Sequence, residues 1–110
     1  MERLRKRQEF LRAARGAKWV TPGLILQCWQ RGDDNSSRIG FTVTKRVGNA
    51  VVRNRVKRRL REVVQQDKAH VETGYDYVVI GRKSTIDREF SELGQDLSGA
   101  FHGIHRKMMR

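Results

Sequence analysis

Cysteine and proline are almost missing from this sequence, which holds one residue of each, Cys28 and Pro22. A lone cysteine closes no intrachain disulfide and has no CxxC partner, so a disulfide scaffold and a cysteine-built zinc site are both excluded. The count fits a reducing compartment. Cys28 then reads as a small hydrophobe in or near a core. Acidic residues are also scarce, twelve against twenty-four Lys and Arg. Long apolar runs are absent: Tyr77-Val78-Val79-Ile80 is far below the ~20 residues that span a bilayer, and the basic N-terminus has no apolar h-region. Neither export nor membrane insertion is expected.

What is present is a net charge of +12 on 110 residues, enough chain for one domain, residues 1–110, with a single modest core. Such a charge draws polyanions over a Debye length of about 8 Å at physiological salt. Nucleic acid and an anionic membrane surface are both candidates, and the sign of the charge does not choose between them.

Periodicity divides the chain into elements. Phe10, Ala13, Ala14 and Ala17 fall at helical spacing with Gly16 as a terminator, which predicts a short helix over residues 6–14 behind a flexible basic tail, residues 1–5. Thr21-Pro22-Gly23 punctuates the chain before the strand-like "LILQCWQ". In "SRIGFTVTK" the residues Ile39, Phe41 and Val43 alternate with polar ones, a second strand. A polar loop at residues 31–36 between the two predicts a hairpin. From Ala50 the period becomes helical, with Val52, Val56, Leu60, Val63 and Val64 on one stripe. "YDYVVIGRK" is another strand, and Phe90, Leu93, Leu97, Ala100, Phe101 and Ile104 mark a last amphipathic helix, capped near Thr85 or Asp87. The expected class is α+β, in the order α-β-β-β-α-β-α.

One stretch carries most of the charge: "KRVGNAVVRNRVKRRLRE", residues 45–62, with eight Lys or Arg in its first seventeen positions and no acid before Glu62. At about 100° per residue the Val/Leu stripe turns inward. Arg53, Lys57, Arg61, Asn54 and Arg58 then form one arc beside it, with Arg55, Arg59 and Glu62 nearer open solvent. The plain interpretation is a solvated helix face. Like charges at i and i+4, however, cost about 0.2–0.5 kcal/mol per pair, and a purely structural helix interleaves Glu with Lys. An external polyanion is the simplest compensation. Arg-rich chemistry with Asn54 between two arginines suits forked contacts to phosphate and hydrogen bonds to sugar or base edges, and RNA suits that mixture at least as well as duplex DNA.

The sequence Lys45-Arg46-Val47-Gly48-Asn49-Ala50-Val51-Val52-Arg53-Asn54-Arg55-Val56-Lys57-Arg58, with Arg61 after it, resembles the signature of the bacterial ribonuclease P protein subunit. "RQEFLRAARG", "PGLILQCW", "YDYVVIGRK" and the last helix extend the likeness over most of the chain. The resemblance implies a cytoplasmic protein that binds the catalytic RNA of ribonuclease P and helps it remove 5′ leaders from precursor tRNA, with neither DNA nor membrane as partner. It implies a central mixed four-stranded sheet packed by helices, with a left-handed β-α-β crossover whose hand periodicity does not reveal. Lys45, Arg46, Asn49, Arg53, Asn54, Arg55, Lys57, Arg58 and Arg61 would meet the catalytic RNA. Phe10, Gln27, Trp29, Arg82 and Lys83 would line a cleft for the single-stranded leader. Many family members carry a second aromatic where this chain has Ala14, so stacking in the cleft is expected to be weaker, or supplied by Trp19 or Trp29. Trp29 suits core and cleft equally.

Hydrolysis in that family belongs to the RNA and its Mg²⁺, and no catalytic or metal-binding side chain is expected here. The sequence has no carboxylate cluster for two metals; His70, His102 and His105 have no evident partners, and His102 with His105 lacks a third ligand. The rival readings are a ribosomal protein or other small basic RNA-binding module, and a DNA-binding regulator with residues 50–64 as recognition helix.

Overall fold

A strand with no polar face belongs in the middle of a sheet, and Tyr77-Val78-Val79 is such a run. The computed structural model, which describes residues 1–67 and 71–109, places it there. The elements are β1 (Glu2–Arg3), α1 (Arg7–Ala14), β2 (Ala17–Val20), β3 (Leu24–Gln30), β4 (Arg38–Thr42), α2 (Ala50–Gln66), β5 (Tyr75–Gly81) and α3 (Phe90–Met108). The strand order is β1-β4-β5-β3-β2. β5 runs parallel to β4 and antiparallel to β3, while β1 lies parallel to β4 and β2 antiparallel to β3. The α+β class is as expected, with five strands instead of four.

The extra strand comes from the supposed basic tail. Glu2 and Arg3 pair with Arg38 and Ile39, and Leu4, only 7% exposed, anchors the segment under the sheet. A second difference concerns the expected hairpin. β3 and β4 are consecutive in sequence but not neighbours, because β5 lies between them. The actual hairpin is β2–β3, closed where the Thr21 hydroxyl donates to the Leu24 carbonyl at 2.7 Å and accepts from the Leu24 N–H at 3.1 Å. Thr21-Pro22-Gly23 is thus a turn between paired strands. The last helix also starts later than expected, at Phe90 with Glu89 at its cap. Thr85 instead hydrogen-bonds to the Arg82 N–H and the Gly23 carbonyl.

The two sheet faces are unequal. Leu24, Leu26 and Cys28 of β3, Ile39 of β4, and Tyr77 and Val79 of β5 join Val56, Leu60, Val63 and Val64 of α2 and Leu93, Leu97, Ala100, Phe101 and Ile104 of α3 in the main core. Gly81 allows α2 to come close: a Cβ there would lie 2.5 Å from Val56 Cγ1. The other face carries only α1 and a small cluster of Leu4, Ala13 and Val78, with Phe10, Trp29 and Ile80 packed on it.

Asp76 sits on that thinner face, wholly buried. A carboxylate without solvent needs partners, and three arginines supply them. Arg38, its direct neighbour across the sheet, donates twice at 2.8 Å. Arg31 donates at 2.6 Å and Arg12 of α1 at 3.3 Å. Arg31 also grips Asp33 and the carbonyls of Asn35 and Ser36, fixing the loop that leads into β4. Burial raises the Asp76 pKa, but the Arg38 and Arg31 hydrogen bonds outweigh it and hold the carboxyl below its ordinary value.

A carboxylate with a depressed folded-state pKa contributes stability that is complete above its unfolded value, near 3.9, and is lost as pH falls through the folded value. Asp76→Asn should therefore lower unfolding free energy at neutral pH by about 3–5 kcal/mol. It should also make the decline below about pH 4 shallower than in the parent chain, as read by urea titration.

Candidate nucleic-acid interface

The cationic stretch begins with a cap. Asn49, in extended conformation, accepts the Val52 N–H on Oδ1 at 3.0 Å, and its carbonyl receives the Arg53 N–H at 2.9 Å. The Asn49 side chain therefore starts α2 whatever else it touches. Lys45 and Arg46 lie exposed in a short 3₁₀ turn over Lys45–Val47 just ahead of it.

Along α2 the buried stripe is Val56, Leu60, Val63 and Val64, with Val52 packed at its margin. Asn54, Arg55, Arg58 and Arg61 are exposed; Arg53 and Lys57 are half-buried. The Arg61 guanidinium lies over the Phe41 ring of β4, 5.8 Å from its centroid. Arg59 differs from its expected place in solvent. Its Nε donates to the Thr85 carbonyl at 3.1 Å and its Nη2 to the Arg88 carbonyl, which fastens α2 to the turn before α3.

The cations differ in what already holds them. Arg12, Arg31, Arg38 and Arg88 each touch a carboxylate. Among the described residues, none of the ion pairs involves Lys45, Arg46, Arg53, Arg55, Lys57, Arg58 or Arg61. These seven share one helix and the turn before it. They can meet phosphate without first breaking an internal pair.

On the opposite sheet face a groove of about 210 Å³ runs between α1 and the strands, lined by Phe10, Leu11, Ala14, Gln27, Thr42, Val78 and Ile80. Gly40 makes room for the ring: a Cβ there would lie 2.5 Å from Phe10 Cε1. Phe10 and Gln27 therefore share a cleft as expected. Trp29 is half-buried on the same face, packed near Leu4, Ala13 and Val78, with the Arg12 guanidinium 5.9 Å from its ring centroid. Trp19 cannot replace the missing aromatic, because it packs through the other face, its ring against Gly103 of α3. Arg82 and Lys83 follow β5 at the end of the sheet and do not line the groove; the Arg82 Nη1 donates to the Thr21 carbonyl at 2.6 Å.

Leu11, Thr42, Val78 and Ile80 complete the groove without having been singled out in the sequence. The signal was available: Val78 and Ile80 alternate onto one face of β5, and Gln27 pairs directly with Val78. Nothing local predicted which strands would be neighbours.

Other reactive groups are occupied. Cys28 is buried, and desolvation pushes its thiol up to about 12. His105 Nε2 lies 2.7 Å from the Tyr77 hydroxyl; His102 is exposed, and His70 lies outside the described residues. Among the described residues no three of His, Cys, Asp and Glu converge as metal ligands, and no helix is long and apolar enough to cross a membrane.

Comparison with known proteins fits this geometry. The family model described as Ribonuclease P matches residues 1–105. The ribonuclease P protein component of Paramagnetospirillum magneticum is 56% identical, over 94% of this chain and 83% of its own; that of Gluconacetobacter diazotrophicus is 55% identical over 86% and 84%. Among solved structures, the ribonuclease P protein of Thermotoga maritima superposes with a TM-score of 0.79 at 30% identity, covering 94% of this chain and 98% of its own. A Staphylococcus aureus ribonuclease P protein gives 0.76 at 26%, covering 93% and 94%.

The cap separates fold from interface experimentally. Asn49→Ala should cost about 1 kcal/mol of stability in thermal or urea unfolding, whereas Asn49→Asp, an equally good cap, should cost almost nothing.

Proposed function

The chain belongs to the ribonuclease P protein component family, and from that premise we propose that it joins the catalytic RNA of ribonuclease P through the unpaired cations of α2 while holding the 5′ leader of precursor tRNA in the groove under α1. The observation that carries this reading is the placement of a cationic helix, with Glu62 as its one acid, and an apolar groove on opposite faces of one sheet. Two RNA segments can then be held at a fixed distance.

The physical roles follow from the side chains. Arg53, Arg55, Arg58 and Arg61, with Lys45, Arg46 and Lys57, neutralise phosphates and release counterions. Asn54 offers an amide to a sugar or base edge. In the groove, a leader base stacks on Phe10, while Gln27 and Thr42 present polar groups beside it. With Ala14 in place of a ring, Phe10 is the one aromatic lining the groove among the described residues, so this chain grips the leader through fewer stacking contacts. Lys83, exposed past the end of β5, and Arg82 extend the cationic path beyond the groove.

Glu9, Asp33, Asp76 and Asp96 each pair with an arginine, which does not suit a protein-held Mg²⁺ site. In this reading the RNA carries the Mg²⁺ and the endonucleolytic step, and the protein contributes positioning and charge neutralisation in the cytoplasm. A ribosomal protein or general RNA-binding module would have no need for a leader groove.

Reconstitution with bacterial ribonuclease P RNA at low Mg²⁺ should raise cleavage of precursor tRNA; no stimulation would sink the assignment. Arg53→Ala, Lys57→Ala and Arg61→Ala should each lower the salt-dependence slope of RNA binding by up to about 1. Phe10→Ala should weaken holoenzyme affinity for precursor tRNA about tenfold and leave mature tRNA unaffected.

A further inference from the structure

Besides the arc and the groove, a hollow combines an aromatic ring with two cations, and among the described residues no carboxylate lines it. It lies between α2 and the outer edge of β4 and has a volume of about 90 Å³. Met1, Arg3, Phe41, Arg61 and Gln65 surround it. Its floor is Ile39 and Val64, both almost fully buried.

Three features give this cleft the chemistry of a receptor. The Phe41 ring is half-buried, with the exposed Arg61 guanidinium held over it, 5.8 Å from the centroid. The strand edge beside it is open: β1 pairs with β4 only at Arg38 and Ile39, and the last bond runs from the Leu4 N–H to the Ile39 carbonyl at 2.9 Å. Alternation along a parallel ladder turns the Phe41 N–H and carbonyl toward that same edge, past the end of β1. Gln65 adds an amide that donates and accepts.

A flat ring, a forked cation, an amide and an exposed main chain are the groups that bind an unstacked base. The ring stacks, the amide and main chain read the base edge, and Arg3 faces the attached phosphate. Paired bases inside a duplex offer no free face, and the volume admits one ring edge and little more. We infer that the Phe41–Arg61–Gln65 cleft receives a single extruded nucleobase of the catalytic RNA. The inference rests on the RNA-facing role proposed for α2. It favours the catalytic RNA over the leader because Phe41 packs toward α2, whereas its neighbour Thr42 lines the groove on the other face.

The test is the affinity of the full chain for transcribed ribonuclease P RNA across a salt series, for Phe41→Leu, Gln65→Ala and Arg53→Ala. Phe41→Leu should weaken binding about five- to a hundredfold, as expected for one lost stacked base, with the salt slope unchanged. Gln65→Ala, at an exposed position with no core contact to lose, should weaken it about threefold, also at constant slope. Arg53→Ala should reduce the slope. Normal affinity for Gln65→Ala and for any folded Phe41→Leu, while Arg53→Ala is impaired, overturns the receptor and leaves the α2 interface standing. Normal affinity for all three overturns the underlying reading as well. A Phe41→Leu or Gln65→Ala defect seen only when precursor tRNA is bound assigns the cleft to the substrate and also overturns the proposal.

Discussion

A single buried charge organises the thinner side of this molecule. Asp76 has no solvent, and a buried carboxylate is tolerated only when cations and hydrogen bonds replace the water it lost. The three arginines that do so come from α1, the end of β3 and β4. The central strand is thereby tied to a helix, a loop and a neighbouring strand through one residue. Arg38 also reaches Glu9, whose other oxygen accepts the Arg5 and Lys6 N–H groups at the start of α1. The helix that carries Phe10 is positioned electrostatically from both its sides, and the groove inherits its width from that arrangement.

The same physics explains why α2 can carry so many cations. A helix with repeated like charges is a poor helix in isolation. Here it is held by the apolar stripe against β5 and α3, by the Asn49 cap, and by Arg59 bonding to the carbonyls of Thr85 and Arg88. One arginine of the basic run therefore serves the fold, and its neighbours need not. The distinction lies in what each guanidinium reaches, and charge counting is blind to it.

Much of this was legible in the sequence, and the exceptions share a cause. The α2 stripe, the last helix and β5 as a strand follow from periodicity, because burial imposes 3.6 or 2 on a local pattern. The Phe10–Gln27 cleft followed from resemblance. The expected β3–β4 hairpin is not formed, since sequence order does not reveal that β5, which follows only after the whole of α2, inserts between two consecutive strands. The role of Asp76 is hidden in the sequence for a related reason: its alternation with Val78 and Ile80 marks a buried position, but its three partners are scattered at residues 12, 31 and 38. Trp19 and Trp29 look alike in sequence and face opposite sides of the sheet because one sits on β2 under α3 and the other on β3 under α1.

β4 faces α2 on one side and the groove on the other for a geometric reason. Phe41 points to α2 and the adjacent Thr42 to the groove, so consecutive residues of one strand address different surfaces. A strand has a side-chain period of two, so inserting or deleting one residue here would exchange those assignments. It would also carry Gly40 out from under Phe10. A surface loop has no such parity to keep, whereas the length of β4 matters as much as its composition.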